Sequence, residues 1–216
     1  MGFQLTSKDY AEYIRLAYQK IHENGDYITS LDAATGDGDH WANLDSGFRR
    51  LNEMAGDLET MSLFDEFRQI GRTMMSVIGG SSGVLYGSAY LEAAKILEDK
   101  ETIANRELYQ VLSAMLEAIM SRGNAKPGCK TMIDSLYPAV ECYKACMAEG
   151  VSDTELLERV KQAALDGAEN TRNMEAIKGR ASYQREKGLG NLDPGAVTMS
   201  YQLEILLNYA LGKVER

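Results

Sequence analysis

LDAATGDGDHWAN, residues 31–43, places three carboxylates, Asp32, Asp37 and Asp39, within eight positions and breaks them up with Gly36 and Gly38. Glycine opens backbone conformations closed to other residues, so side chains close in sequence can turn toward one point. Carboxylates that converge repel one another unless a cation lies between them. Hard divalent ions such as Mg2+ take oxygen ligands and commonly share them with substrate phosphates. The spacing is not that of an EF-hand, because the twelfth position counted from Asp37 is Phe48 and not a bidentate Glu. A plainer reading uses the same residues as an acidic turn capping the helix that follows.

Helical patterns flank this loop on both sides. Upstream, Tyr10, Tyr13, Ile14, Ala17 and Ile21 recur at helical spacing, and Asn24-Gly25 predicts a stop. Downstream, Leu44, Phe48, Leu51 and Ala55 mark a second helix. A third is expected over about 64–78, with Phe67, Ile70, Met74 and Met75 inward and Gly79-Gly80 at its end. GGSSG at 79–83 opens a fourth, which carries Leu85, Leu91, Ala94 and Leu97. Free N–H groups, hydroxyls and a positive dipole end at such a turn suit an anion, although glycine-serine turns also simply join helices.

A fifth pattern from about 105 carries Leu108, Val111, Leu112, Met115 and Ile119. RGNAKPGCKTM at 122–132 is a second glycine- and lysine-rich loop; it lacks the G-x4-G-K-[ST] order of a Walker A loop. Pro138 falls inside the sixth helix and predicts a kink. Ser152-Asp153-Thr154-Glu155 predicts a capping box before a seventh helix with Leu156, Val160, Ala164 and Ala168. KGRASYQREKGLGNLDPG at 178–195 is a long polar loop. It ends at Asp193-Pro194-Gly195, a strong start for a last helix through Val197, Leu203, Leu206, Leu207 and Ala210 to Gly212. The sum is about eight helices without a strand or repeat, so the expectation is one all-α domain over residues 1–216.

Composition narrows the function. The 216 residues carry a net charge of −9 with no cluster of Lys and Arg, which argues against a nucleic-acid backbone as partner. No apolar run approaches a membrane span, and the first residues lack the basic flank and apolar stretch of a signal peptide, so the expected compartment is the cytoplasm. Gly2 and Thr6 formally meet an acylation pattern, but no basic patch stands beside them. Cys129, Cys142 and Cys146 have no histidine companions and read as small buried residues, not as a zinc site.

Four motifs occur in one order: GDGDH at 36–40, GGSSG at 79–83, KPGCKTM at 126–132, and KGRASY with DPG at 178–183 and 193–195. Together they resemble the nucleotide-binding L subunit of dihydroxyacetone kinases, and the resemblance spans nearly the whole chain. It implies a barrel of about eight antiparallel helices that holds ADP or ATP in the loops at one end through two Mg2+ ions. It also implies Asp32, Asp37 and Asp39 as the Mg2+ ligands and His40 and Asn43 as residues beside the nucleotide. Ser81 and Ser82 then belong to the phosphate-side turn, and Gly123 and Met132 flank the adenosine. Arg180, with Asp193, Pro194 and Gly195, completes the pocket. Two positions depart from the family: Trp41 stands where it carries glycine and is read as a further nucleotide contact, and Cys129 replaces an Asp.

The resemblance implies an enzyme subunit that works only with partners. A phosphohistidine protein of the phosphoenolpyruvate sugar phosphotransferase system recharges bound ADP to ATP. The γ-phosphate then passes to dihydroxyacetone held on a separate K subunit, with Arg180 stabilising the moving charge. A diphosphate of about −3 facing three carboxylates needs divalent cations to be neutralised, which agrees with the reading from the residues alone. Of the two histidines, His40 is expected beside the nucleotide and His22 at the surface or as a partner of the C-terminal dipole of the first helix. Alternatives are the L subunit of an ATP-dependent short-ketose kinase, or a nucleotide-sensing module that binds a transcription regulator.

Overall fold

Ten α-helices make up most of the computed structural model, which describes residues 2–214. They are α1 Ser7–Glu23, α2 Gly25–Thr35, α3 His40–Glu53, α4 Ala55–Leu58, α5 Leu63–Val77, α6 Gly80–Ile96, α7 Asn105–Gly123, α8 Ile133–Glu149, α9 Asp153–Asn170 and α10 Pro194–Lys213. Eight are long; α2 and α4 are short additions to the expected set. Among the described residues no strand forms, only an isolated antiparallel bridge between Leu5 and Ile103.

The eight long helices form a closed ring. α1 packs on α3, α3 on α5, and then each on the next through α10, which returns to α1. Short connections make consecutive helices antiparallel, so every second connection lies at the same end. Connections 24–39, 78–79, 124–132 and 171–193 therefore share one end, and 54–62, 97–104 and 150–152 share the other. All four motifs fall on the first set.

One continuous apolar cluster fills the ring, with Tyr10, Phe48, Phe67, Tyr86, Tyr90 and Tyr143 among its largest members. Full burial of side chains of this kind is worth about 1.5–3 kcal/mol each. The buried hydroxyls find partners: Tyr10 bonds Tyr90 at 3.2 Å, and Gln202 donates to Tyr86 at 2.8 Å. Glycine permits a close approach of α5 and α6, since a Cβ on Gly71 of α5 would lie 2.9 Å from the Gly87 carbonyl of α6. α8 runs on through Pro138. The proline leaves the Asp134 carbonyl without its helical partner, and Gly167 of α9 packs against that carbonyl and the proline ring.

Several expectations change. The first helix stops at Asn24, whose side chain donates to the Lys20 carbonyl at 2.7 Å, but α2 begins at once. Asp32 is thus on the last turn of a helix and not in a loop. Met75 is 39% exposed where an inward position was expected, because Phe67, Ile70 and Met74 already define the buried face of α5. Ser152 caps Glu155 N–H at 3.2 Å; the complete reciprocal box is made by Thr6 and Asp9 instead. His22 is engaged by a side chain: its Nδ1 lies 2.9 Å from the buried Asp45 carboxylate, which Arg49 also meets.

Candidate functional site

A cavity of about 580 Å3 opens at the motif-bearing end, within the usual range for a small-molecule site. Its lining holds every residue expected at the site except Trp41: Asp32, Asp37, Asp39, His40, Asn43, Ser81, Ser82, Gly123, Met132, Arg180, Asp193, Pro194 and Gly195.

The acidic corner is built by its glycines. The Gly36 N–H donates to the Asp32 carbonyl at 2.5 Å, and a Cβ at Gly36 would collide with the Asp32 carboxylate. Gly38 sits at φ +79°, a left-handed conformation that favours glycine. The chain folds back so that one oxygen each from Asp32, Asp37 and Asp39 lies within 4.8 Å of the others. Asp32 is 7% exposed and accepts the His40 backbone N–H at 3.0 Å, which holds its carboxylate in place. The Arg180 guanidinium reaches across from the 171–193 connection to 2.6 Å from Asp37 and 3.9 Å from Asp39. Carboxylate oxygens that gather and draw in a cation are a donor set suited to Mg2+.

Helix starts form the other walls. In the antiparallel ring α3, α6, α8 and α10 begin at this end, and most of the predicted nucleotide contacts fall at their N-caps and first turns; Gly123 ends α7 and Arg180 lies in the 171–193 connection. The N-cap residues of α3, α6 and α8 supply no side-chain cap. The His40 N–H of α3 goes to Asp32 and the Ile133 N–H of α8 to Thr131 Oγ1 at 3.2 Å, which leaves the start of α6 as the one of the three whose first N–H groups meet no side chain among the described residues. In the GGSSG turn a Cβ at Gly79 would lie 2.6 Å from Asn43 Oδ1, and one at Gly83 would strike the Ile78 carbonyl. Glycine at both positions lets α6 start this close to α3. Leu85, Ile119, Met132 and Ile133 give the cavity an apolar side.

Two groups have shifted protonation. Burial draws the His40 pKa below its ordinary value against the pull of Asp32 and Asp39, so the ring is neutral at pH 7. Its Nε2 lies 2.9 Å from Thr198 Oγ1, which donates to the Gly195 carbonyl at 3.2 Å. Burial pushes Asp193 up to about 7, although its carboxylate caps the Ala196 N–H at 2.7 Å.

Trp41 does not join the site. Its indole N–H donates to the Ile21 carbonyl at 3.2 Å, and its ring presses on Gly25. His40 and Asn43 are three apart and share a helix face; Trp41, one residue on, is turned about 100° away. Cys129 is buried outside the cavity lining, its carbonyl accepting Ile177 N–H at 3.1 Å. Thr198, Arg122 and Lys130 were not anticipated. Thr198 is buried three residues beyond the DPG motif, and only its placement under His40 reveals it.

The comparisons agree with this geometry. The chain is 34% identical to the ADP-binding subunit DhaL of the PEP-dependent dihydroxyacetone kinase of Escherichia coli, over 84% of this chain and 86% of that protein. It is 38% identical to a subunit of the same description from Listeria innocua, over 88% and 89%. The fold is similar to the dihydroxyacetone kinase of C. freundii in its native form, with TM-score 0.72 and 27% identity over 92% of this chain. It is also similar to that enzyme in complex with AMP-PNP and Mg2+, with TM-score 0.70 and 28% identity. The chain spans about a third of those structures, 34% and 33%. Residues 34–208 match the DAK2 domain, from the last turn of α2 to the penultimate turn of α10, and the chain belongs to the DAK2 domain family.

Proposed function

We propose that this chain is the ADP/ATP-binding, phosphate-relaying subunit of a dihydroxyacetone kinase, a single DAK2-type domain over residues 1–216. One observation carries the reading: three converging carboxylates, the uncapped start of α6 and the starts of α3 and α8 open on one cavity. Cations are favoured on the acidic side and phosphates at the helix starts. Asp32, Asp37 and Asp39 would hold two Mg2+ ions. When bound, the ions neutralise the diphosphate and polarise its oxygens.

The chain's own residues supply the rest. Ser81, Ser82 and the first N–H groups of α6 orient the phosphates, with His40 and Asn43 beside them. Gly123 and Met132 bracket the adenosine against the apolar wall, and Asp193, Pro194 and Gly195 close the pocket. Arg180 stabilises the phosphoryl group in flight. No side-chain nucleophile is required, because phosphoryl transfer is mostly positioning and charge neutralisation. Bound ADP is recharged by a phosphohistidine protein of the sugar phosphotransferase system, and the phosphate leaves for dihydroxyacetone on a K subunit, in the cytoplasm.

A reconstituted transfer assay tests this. With dihydroxyacetone as acceptor and either ATP or a phosphohistidine protein with ADP as donor, dihydroxyacetone phosphate is expected only when Mg2+, this chain and a K subunit are all present. Arg180→Ala is expected to slow transfer by about 10²–10³. Turnover by this chain alone would overturn the acceptor assignment, and Mg2+-independent nucleotide binding would overturn the metal assignment.

A further inference from the structure

Lys130 lies in the connection between α7 and α8, is 1% exposed, and holds φ at +60°. A lysine is almost never buried so completely unless its ammonium is satisfied. Here its Nζ donates to three carbonyls, Thr171 at 2.6 Å, Met174 at 3.2 Å and Asn191 at 2.6 Å. Three donors meet three acceptors, so the group is complete.

The acceptors come from both ends of one segment. Thr171 and Met174 lie where the strap over 174–191 leaves α9, and Asn191 where it rejoins α10. The strap also wraps the lysine stem, since a Cβ at Gly188 would lie 3.3 Å from Lys130 Cε. Further bonds tighten the same closure: Ala176 N–H to Lys187 O at 2.8 Å, Gly190 N–H to Arg172 O at 2.9 Å, and Asp193 N–H to Thr171 Oγ1 at 3.0 Å. Midway along the strap stands Arg180, at 2.6 Å from Asp37.

We infer that Lys130 is a positioning residue, a clasp that shuts the 174–191 strap at both ends and thereby aims Arg180 at the acidic corner. Arg180 itself is exposed, on a short 3-10 turn over Arg180–Tyr183 that Ala181 anchors within the strap, so its reach depends on the closure of the segment that carries that turn. The effect on transfer rests on the function assigned to Arg180; the closure of the strap does not.

The test has three parts. In the wild-type chain, timed acetylation by an amine-reactive ester, read by peptide mass spectrometry, is expected to modify Lys130 at least about tenfold more slowly than exposed Lys126, because the strap must first open. Equal rates would overturn the clasp, and this part needs no variant to fold. In Lys130→Met, with helical circular dichroism unchanged, tryptic cleavage at Arg185 is expected to rise about tenfold or more, the effect of losing charge-assisted hydrogen bonds. Unchanged cleavage would count against the clasp even if the chain proved to have another activity. In the transfer assay Lys130→Met is expected to lower kcat and leave the nucleotide KM unchanged, and Lys130→Met/Arg180→Ala to be no slower than Arg180→Ala. Losses that multiply in the double variant would overturn the positioning role.

Discussion

The two ends of the ring are made by the same eight helices and treat their polar groups in opposite ways. At the far end, α1, α5 and α9 are capped by Thr6, Ser62 and Ser152. Leu5 and Ile103 exchange backbone bonds of 3.0 and 2.8 Å there, and Asp9 gathers Lys213 and Tyr209 to tie α10 to α1. At the cavity end α3, α6 and α8 have no side-chain caps, and most left-handed residues cluster, among them Gly38, Gly80, Gly128, Lys130, Gly179, Gly188 and Gly190. The far end caps three of its four long-helix starts, leaving α7 uncapped and the Glu66 carboxyl without a partner among the described residues, whereas the cavity end caps only α10, through Asp193, and gathers its charges around a hollow. Stability and binding are therefore separable by position, and substitutions can test that.

The largest expected effect is at the acidic corner. Asp37→Ala or Asp39→Ala should cost several kcal/mol of Mg2+-dependent ADP binding, since a diphosphate is left poorly neutralised. The helical circular dichroism should be unchanged, because both residues lie outside the core. Calorimetric titration decides it, and wild-type affinity in both variants would break the division between the ends.

Next in size is linkage. Mg2+–ADP at ~100 times its dissociation constant should stabilise the fold by about 2.7 kcal/mol, and EDTA should abolish the gain. A melting temperature indifferent to both would mean that the cavity end does not hold the ligand.

The far end should respond to pH and not to nucleotide. Neither carboxyl oxygen of Glu66 has a hydrogen-bond partner among the described residues, and burial pushes its pKa up to about 9 from the usual 4.5. The folded value lies above the unfolded one, so this contribution is fully present below pH 4.5. It declines as pH rises toward 9, at up to about 1.4 kcal/mol per unit. Glu66→Gln should remove that slope in urea titrations between the ordinary carboxylate value of 4.5 and about 9 and leave ADP affinity alone. An unchanged slope would show that Glu66 is solvated.

The smallest effect sharpens the contrast. Thr6→Ala should cost about 1 kcal/mol of stability through the lost capping box, again with no change in ADP affinity.

Much of the site was legible because its signals are local. Glycines that free a backbone, an aspartate before a proline, and carboxylates two residues apart act on their own neighbours, and the acidic loop, the GGSSG turn and the start of α10 follow from them. Other features depended on what lies across the fold. Trp41 looked like a nucleotide contact by sequence adjacency to His40, yet helix geometry and the hollow at Gly25 turned it inward. α2 carries few apolar signals of its own, and it is held as a helix against α3 and α10.

By itself the sequence determined where most long helices begin and end, which residues carry oxygen ligands and which turns need glycine, because short-range sterics and hydrogen bonding decide these. Only the tertiary structure decided that the ring closes through α10 onto α1, so that alternate connections meet at one end. It alone set Arg180 against Asp37, Thr198 under His40 and the Lys130 ammonium among three distant carbonyls. Those partners lie between about forty and 160 positions apart in the chain, and only burial in a common core brings them within hydrogen-bond range.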